Sequence, residues 1–206
     1  MNAAPRPRGR PRKSAAERDE GNRRLALVAA AGRLFRVHGF AATRTRDIAA
    51  AVGMRSGSPF YHFARKEDLL VAVMEQGMVG ALQLQRSALC ACGPVSTPAQ
   101  RLQALLRSHF EVIHGPHSDF IPVMLYEWRH VPARQAQRIA HLRRQYELAF
   151  LPVLHALRCE GRLRGEVRLA RLFLLGALNW SVQWFDPRGP LGLDALTAEV
   201  MALVLG

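Results

Sequence analysis

Residues Thr43–Leu70 read TRTRDIAAAVGMRSGSPFYHFARKEDLL, and this stretch decides the fold. Apolar residues recur at helical spacing from Ile48 to Val52. Gly53 follows at the position where a left-handed glycine ends a helix without a Cβ penalty. A second helix begins within the next few residues and packs through Phe63. Two short helices joined by a three- or four-residue turn that contains glycine predict a helix-turn-helix.

The two helices have candidate N-caps in Thr43 and Ser56, whose hydroxyls accept from the free N–H groups that open a helix. With Ser56 as the cap, Pro59 takes the third helical position, where its missing N–H costs no hydrogen bond. Gly57 and Ser58 are small enough to approach base edges closely, and a helix of this kind lies in the major groove with its N-terminal residues against the bases. The stretch therefore predicts DNA binding; the alternative is an ordinary helical hairpin with a polar tip.

Together with LALVAAAGRLFRVHGF before it and KEDLLVAVM at its end, the stretch resembles the DNA-binding domain of TetR-type transcriptional regulators. The resemblance implies phosphate and base contacts from Thr45 and Arg46, and a phosphate contact from Lys66. Arg55 stands where the family more often has a Ser or Thr cap, and Pro59 replaces a common leucine. The full set of expected DNA-binding residues is Thr43, Arg44, Thr45, Arg46, Arg55, Ser56, Gly57, Ser58, Phe60, Tyr61, His62 and Lys66.

The charge distribution points to DNA independently of the motif. Residues 1–66 hold 15 Lys and Arg against 4 Asp and Glu, whereas residues 67–206 hold 14 against 12. A basic excess concentrated in one third of a chain is typical of nucleic-acid binding. A membrane-surface role is the weaker interpretation, because the basic segment lacks an apolar face with exposed aromatic residues.

The first 20 residues form a separate basic arm. They alternate Pro, Gly and Arg without an apolar run, so we expect disorder, and they lack the apolar core of a secretion signal. The segment RGRPRK is similar to the short arginine arms that enter a narrow, A·T-rich minor groove. A solvated tail that raises DNA affinity nonspecifically is an equal alternative.

The composition predicts a cytoplasmic protein without disulfides or bound metal. No apolar run reaches the ~18–20 residues of a membrane span, and the three cysteines give no disulfide framework. Cys90 and Cys92 form a bare C-x-C pair, and no nearby ligands complete a zinc site. No nucleophile–base pattern or phosphate-binding glycine loop is present, so we expect neither an enzyme nor a cofactor.

Beyond residue 66 the apolar periodicity is helical throughout, and the fold class predicted is all-α. We expect a long helix through Leu70 and Leu84, a helix starting at Thr97-Pro98, a short one at Ile121–Val131, and a long one at 133–158 that Pro152 kinks. Two further helices span 168–185 and 193–205. Three parts follow: the arm at 1–20, a three-helix helix-turn-helix domain at 21–66, and a larger helical effector-binding and dimerisation domain at 67–206.

The helix at 168–185 is apolar around nearly its whole circumference, and a helix of that kind must be buried on all sides. A second copy of the chain is the natural cover, so we expect a homodimer with a self-complementary interface. The Arg-rich segment 133–158 is the expected companion helix. TetR-type proteins dimerise through a four-helix bundle, and two recognition helices suit a palindromic operator.

The resemblance also implies a pocket for a small hydrophobic effector in the larger domain. A ligand that binds one arrangement of the two heads better shifts the population toward it. Aromatic stripes are more often plain core, but Asn179 and Gln183 are polar groups in an apolar helix and need a buried partner. The candidate effector residues are Phe110, Met124, Trp128, Tyr146, Asn179, Trp180 and Gln183.

The ending GALNWSVQWFDPRGPLGLDAL is similar to that of TetR-type repressors of fatty-acid and steroid breakdown that respond to acyl-CoA thioesters. The phosphates of an acyl-CoA need cations. The candidate cations are Arg129, Arg134, Arg138, Arg143 and Arg144, and the alternative is that these arginines only form a solvated helix face. The alternative effector is an amphipathic drug or cation met by aromatics and an acid such as Glu127. An architectural DNA-binding protein without an effector is less favoured, because the second domain is large.

Overall fold

The computed structural model describes residues 15–54, 59–116 and 118–206. Over these residues the secondary structure is helical without strands, which confirms the all-α prediction. The α-helices are α1 (Ala15–Ala42), α2 (Thr45–Ala51), α3 (Pro59–His62), α4 (Lys66–Ala91), α5 (Pro98–His114), α6 (Phe120–Glu127), α7 (Ala133–Leu148), α8 (Phe150–Cys159), α9 (Val167–Trp180) and α10 (Leu193–Leu205). Short 3-10 turns follow α6 and α9, at Trp128–His130 and Ser181–Gln183.

The N-terminal helix begins inside the segment that we expected to be a disordered arm. Residues 15–20 form the start of α1, and their sequence AAERDE consists largely of residues that favour a helix. The remaining arm residues, 1–14, lie outside the described part of the chain. At its other end α1 breaks at Gly39, whose φ of 77° is left-handed.

Several predicted helix ends are confirmed. Gly53 has a φ of 68° directly after α2, as a left-handed turn residue requires. Thr97 caps α5 by accepting from the Gln100 N–H, with Pro98 at the first helical position. The predicted long helix at 133–158 is divided into α7 and α8, because Pro152 has no N–H to bond the Leu148 carbonyl four residues earlier.

Helix α4 lies at the centre of the molecule and packs against α1, α5, α6 and α7. Its buried side includes Leu70, Met74 and Met78, all in one hydrophobic cluster that extends through the larger domain. Gly77 allows α6 to approach closely, because a Cβ there would lie 2.0 Å from Phe120 Cγ. The larger domain is thus built around the helix that follows the helix-turn-helix.

Residues Gly21–Ala42 of α1 are long and apolar enough to cross a membrane by length and composition alone. The sequence analysis predicted no such segment. In the structure one side of this helix, which includes Leu27, Ala31 and Phe35, is buried in the protein core, whereas Leu25 and Val37 are exposed. Packing against the rest of the chain therefore accounts for the apolar character of the buried side.

The head, residues 21–66, is joined to the larger domain by contacts around Phe40. The backbone N–H of Phe40 donates to Glu127 Oε1 at 3.1 Å, and the ring of His130 lies 4.7 Å from the Phe40 ring. Arg36 on α1 forms an ion pair with Asp119 at 3.0 Å. Because Glu127 is buried and bonded here, the prediction that its carboxylate receives a cationic effector is not supported.

A polar cluster lies inside the larger domain, where α4, α5 and α7 meet. His109 Nδ1 lies 2.9 Å from the Tyr146 hydroxyl, and the Gln85 side chain donates to the Tyr146 carbonyl at 3.1 Å. All three residues are buried. Burial raises the pKa of Tyr146 and lowers the pKa of His109 to about 4, so both groups are neutral at physiological pH.

We expect the buried His109 to make the protein sensitive to acid. As the pH falls from about 6.5 to about 4, the unfolded chain binds a proton that the folded protein does not. The free energy of unfolding should fall over this range by roughly 3 kcal/mol from this residue, because each pKa unit is worth 1.36 kcal/mol. Chemical denaturation of the wild type and of His109→Phe between about pH 7 and about pH 4.5 measures the difference.

The wild type should lose more stability than His109→Phe on acidification. His155 lies on the surface of α8, so His155→Phe is the matched control and should follow the wild type. Equal losses in all three proteins would show that His109 is not held neutral.

Candidate DNA-binding surface and effector cavity

The first candidate site is the outer surface of α2 and α3. The Arg46 side chain is 63% exposed at the start of α2, and Tyr61 on α3 is 79% exposed. The rings of Tyr61 and His62 meet edge to face with centroids 5.2 Å apart. Arg44 is also exposed, and Thr45 is half-buried. A guanidinium group, a phenol and an imidazole are therefore presented to solvent by two neighbouring helices.

Thr43 has a different role from the predicted one. Helix α2 is capped at Arg44, whose N–H donates to the Asp47 carboxylate at 3.2 Å. The Thr43 hydroxyl instead donates toward the Gly39 carbonyl at 2.8 Å and is also 3.2 Å from the Leu34 carbonyl oxygen. Thr43 is buried. The prediction that it caps α2 is therefore wrong, because its hydroxyl bonds the end of α1 instead. Its DNA contact stays a prediction.

Lys66 also serves the fold. Its Nζ donates to the carbonyls of Phe40 at 2.7 Å and Thr43 at 3.0 Å, and it lies 4.2 Å from the centre of the Phe40 ring. An ammonium group has three donors, and the Ala41 carbonyl lies 3.4 Å away as a third acceptor. Lys66 is thus half-buried and secures the end of α1; its phosphate contact stays a prediction.

The remaining predicted contacts lie in the segment that joins α2 to α3. Arg55, Ser56, Gly57 and Ser58 are outside the described residues, and so is the predicted cap at Ser56. The described part of α3 begins at Pro59 and includes the backbone of Phe60. Among the predicted DNA-binding residues whose side chains the structure describes, Arg44, Arg46 and Tyr61 are exposed, and Thr45, His62 and Lys66 are half-buried.

The second candidate site is a cavity of about 600 Å³ between α5, α8, α9 and α10. Its wall is almost entirely aliphatic and aromatic. Ser181 and Glu199 are the polar residues of its described lining. The Ser181 hydroxyl donates to the Leu178 carbonyl and lies 2.7 Å from His114 Nε2. The cavity can therefore take a hydrocarbon group, but Ser181 already has its hydrogen bonds.

Of the predicted effector residues, Phe110 lines this cavity. Tyr146 belongs to the buried cluster with His109, and Asn179 faces the same histidine. Met124 and Trp128 are partly buried around α6. Trp180 is exposed, and exposed Gln183 donates to the Tyr126 hydroxyl. The structure therefore does not bring the predicted set together in one cavity.

The sequence analysis missed most of the residues that form the cavity wall. These are mainly aliphatic residues of α8, α9, α10 and the α8–α9 connection: Leu154, Leu163, Leu174, Leu178, Leu196 and Val200. Their helical spacing is the same as that of ordinary core residues, so the sequence held no signal that separates the two roles.

The arginines considered for an acyl-CoA do not contribute to the described lining. Arg138 pairs with Glu75 at 3.0 Å. Arg143 lies 5.7 Å from the Trp128 ring centre and 3.5 Å from Glu147. These contacts match the alternative of a solvated, salt-bridged helix face.

A second groove, of about 510 Å³, lies between α1, α4, α5 and the start of α6. Small residues such as Gly32, Gly77 and Gly80 form its base, and Arg33 and Glu111 lie at its polar edge. None of the predicted effector residues is in its described lining. It separates the head from the larger domain on one side of α4.

An apolar surface is exposed along α9 and α10. Phe173 on α9 is 77% exposed, Trp184 after α9 59% and Leu203 on α10 84%. All three also line the cavity, so this surface adjoins the cavity opening. Leu169, Leu172 and Trp180 are exposed as well. Helix α7, by contrast, packs its apolar residues Ile139 and Tyr146 inward against α4. The α7 part of the segment 133–158 thus has its main apolar residues turned inward, and α10 is a second helix with exposed apolar surface. The companion role of 133–158 stays a prediction.

Comparison with known proteins agrees with this architecture. Residues 27–73 match the family model of bacterial regulatory proteins, tetR family, and residues 95–206 match the model of the tetracyclin repressor-like C-terminal domain. The HTH-type transcriptional repressor KstR2 of Mycobacterium tuberculosis is 30% identical over 196 residues, which cover 90% of this chain and 92% of the relative.

Solved structures have the same fold. The ketosteroid transcriptional regulator KstR2 of Mycobacterium tuberculosis superposes with a TM-score of 0.76 at 28% identity, covering 89% of this chain and 93% of the other. A protein described as superantigen PfiT superposes with a TM-score of 0.75 at 38% identity, covering 88% and 95%. With an N-terminal helix-turn-helix and a helical C-terminal domain that both match, the chain belongs to the TetR family of DNA-binding transcriptional regulators.

Proposed function

We propose that the protein is a homodimeric repressor that leaves a palindromic operator when a small hydrophobic effector fills the larger domain. One observation carries the proposal: a basic head with exposed Arg46 and Tyr61 is joined to a domain with an apolar cavity of about 600 Å³. An architectural DNA-binding protein has no use for such a cavity. Binding to operator DNA also implies a place of action in the cytoplasm.

The head supplies both parts of DNA recognition. Positive charge attracts the duplex regardless of its sequence and makes binding dependent on salt. Exposed side chains at the start of α2 and on α3 then reach base edges and phosphates. Arg46 and Tyr61 are the described residues best placed for this role, because both are exposed on the two helices of the motif.

The second copy of the chain is proposed from the surface of α9 and α10. Contiguous exposed apolar surface marks an interaction site, and large aromatic residues such as Phe173 and Trp184 are enriched at interfaces. Pairing α9 and α10 with their copies gives a four-helix interface with two-fold symmetry. The two heads then face two half-sites of one operator.

The effector is proposed to be mainly hydrocarbon. Because the cavity wall carries little polar surface, burial of apolar area is the main source of affinity. An acyl-CoA thioester is our first candidate, supported by the similarity of the chain's ending to acyl-CoA-responsive repressors and by a relative described as a ketosteroid regulator. The described lining of the cavity holds no cation that could pair with phosphate. The nucleotide of an acyl-CoA would therefore have to lie outside the cavity.

An amphipathic drug or cation is the second candidate. Glu199 is the charged residue in the described lining of the cavity, and its carboxylate would attract a cationic head group. This second candidate differs from an acyl-CoA thioester in the charge of the effector. Both candidates place an apolar group inside the cavity.

We predict that Arg46→Ala combined with Tyr61→Ala abolishes specific operator binding and leaves the dimer intact, because both side chains are exposed and neither supports the core. In the single variant Arg46→Ala, the salt dependence of the remaining binding should fall by about one ion. Fluorescence anisotropy on DNA from upstream of the gene, at several salt concentrations, measures both effects. The control is Arg162→Ala, because Arg162 is an exposed arginine between α8 and α9. Unchanged operator footprints in the double variant would show that the DNA-binding surface lies elsewhere.

We predict that Trp184→Arg converts the dimer to a monomer, because it places a charge in the middle of the proposed apolar interface. Sedimentation velocity measures the change, and circular dichroism checks that the fold survives. Val95→Arg is the matched control, since Val95 is 93% exposed in the loop between α4 and α5. A dimer that persists in Trp184→Arg would place the interface elsewhere.

We predict that one chain-length class of acyl-CoA thioesters releases the operator DNA in the same anisotropy assay at fixed salt. Leu174→Trp should weaken the response of the protein to that class, because the larger ring occupies part of the cavity. Release by cationic amphiphiles alone would favour the second candidate. Tight DNA binding in the presence of every acyl-CoA thioester and every cationic amphiphile would agree with the proposed role of the head. It would contradict both proposed classes of effector.

A further inference from the structure

The cavity between α5, α8, α9 and α10 has a buried end and an open end. Residues of its lining with at most 2% of their surface exposed are Phe110, Leu154, Leu178 and Ser181. Exposed residues of the lining lie on α9, on α10 and between them: Phe173, Trp184, Leu191, Glu199 and Leu203. The cavity therefore runs from a mouth at α9 and α10 to a buried end where α9 meets α5 and α8.

The buried end offers no free polar group among the described lining residues. The Ser181 hydroxyl donates to the Leu178 carbonyl at 2.6 Å, and His114 Nε2 lies 2.7 Å from the same oxygen. A ligand oxygen placed there would lose its hydrogen bonds to water without replacement, which disfavours that orientation. At the mouth, water and the exposed Glu199 carboxylate remain available. A bound amphiphile therefore lies with its hydrocarbon tail inward and its polar group at the mouth.

Phe110 is the bulkiest of the side chains at the buried end. Its neighbours on α5, Leu106 and Ile113, are buried in the same hydrophobic cluster, and the centre of the His114 ring lies 6.3 Å from the centre of its own ring. Because protein interiors are densely packed, a ring surrounded in this way does not turn aside without displacing its neighbours. The Phe110 ring therefore forms a fixed wall at the inner end of the cavity.

We propose that Phe110 limits the length of the hydrocarbon tail that the effector site accepts, and that it thereby determines which members of a chain-length series bind. This rests on the proposed function, because it concerns the same cavity. Each methylene buried in the cavity should raise the affinity about fourfold. Once the terminal methyl group meets the Phe110 ring, a further carbon atom stays outside or overpacks the cavity, and the affinity stops rising.

The test uses straight-chain 1-alkanols of about six to about twelve carbon atoms, whose tails lengthen by one methylene at a time. Calorimetry on the full-length protein gives the affinity of each alkanol and the limiting length at which the affinity stops rising. Phe110→Leu opens space for about three carbon atoms and should lengthen the limit by about two. Phe110→Trp narrows the same end and should shorten the limit.

Leu191→Ala is the matched control, because Leu191 lines the cavity at its exposed end. This variant should weaken all alkanols by a similar factor and keep the limiting length of the wild type. A general loosening of the fold would also act on all lengths alike, so opposite shifts in the two Phe110 variants mark a length limit. The same limiting length in the wild type and in both Phe110 variants would overturn the proposal.

A second measurement uses the wild type alone, so it holds even if the Phe110 variants do not fold. The alkanol of limiting length, labelled with ¹³C at its terminal methyl group, should show nuclear Overhauser contacts from that methyl to the assigned ring protons of Phe110. Contacts from the carbon that bears the hydroxyl group, or no binding of any alkanol, would overturn the proposal.

These assays contain no DNA, so the length limit and the proposed function fail separately. A limit set by Phe110 without release of operator DNA by any effector would keep the length limit and contradict the repressor mechanism. Release of DNA by acyl-CoA thioesters, with the same limiting length in all variants, would keep the repressor mechanism and overturn the role of Phe110.

Discussion

The attachment of the head depends on how Phe40 is held. Its N–H is bonded to Glu127 from the larger domain, its carbonyl accepts from Lys66, and its ring lies 4.2 Å from the Lys66 ammonium and 4.7 Å from the His130 imidazole. Two of these contacts come from the start of α4 and two from residues 127–130. The orientation of α2 and α3 relative to α4 therefore follows from one buried residue at the break of α1.

The chain separates its functions by surface chemistry. The head exposes charged side chains such as Arg46 to water, where long-range attraction to a polyanion is effective, and it exposes Tyr61 beside them. The larger domain buries a neutral polar cluster and a cavity, and it exposes apolar side chains on α9 and α10. Because α4 begins in the head and forms the centre of the larger domain, a change in packing around α4 reaches both.

Local patterns predicted the features that depend on local physics. Thr97-Pro98 caps a helix through its own neighbours, Gly53 turns because of its own φ, and Pro152 breaks a helix by lacking its own N–H. The roles of Lys66 and Glu127 could not be read in this way, because their partners lie on other segments. Thr43 differs: its hydroxyl bonds the Gly39 carbonyl four residues earlier, a local contact that competes with capping the next helix. The cavity wall escaped the sequence analysis for a further reason: a leucine beside a void and a leucine in a filled core have the same pattern.

Gly39 carries two constraints at the same point. Its φ of 77° disfavours any other residue, and an added Cβ would lie 3.2 Å from Glu127 Oε1. In genetic terms, a screen for alleles that have lost operator control would recover replacements of this glycine alongside changes at the DNA surface. Such alleles would keep every base-reading side chain, and they would be recessive or dominant according to whether the altered subunit still pairs with a normal one.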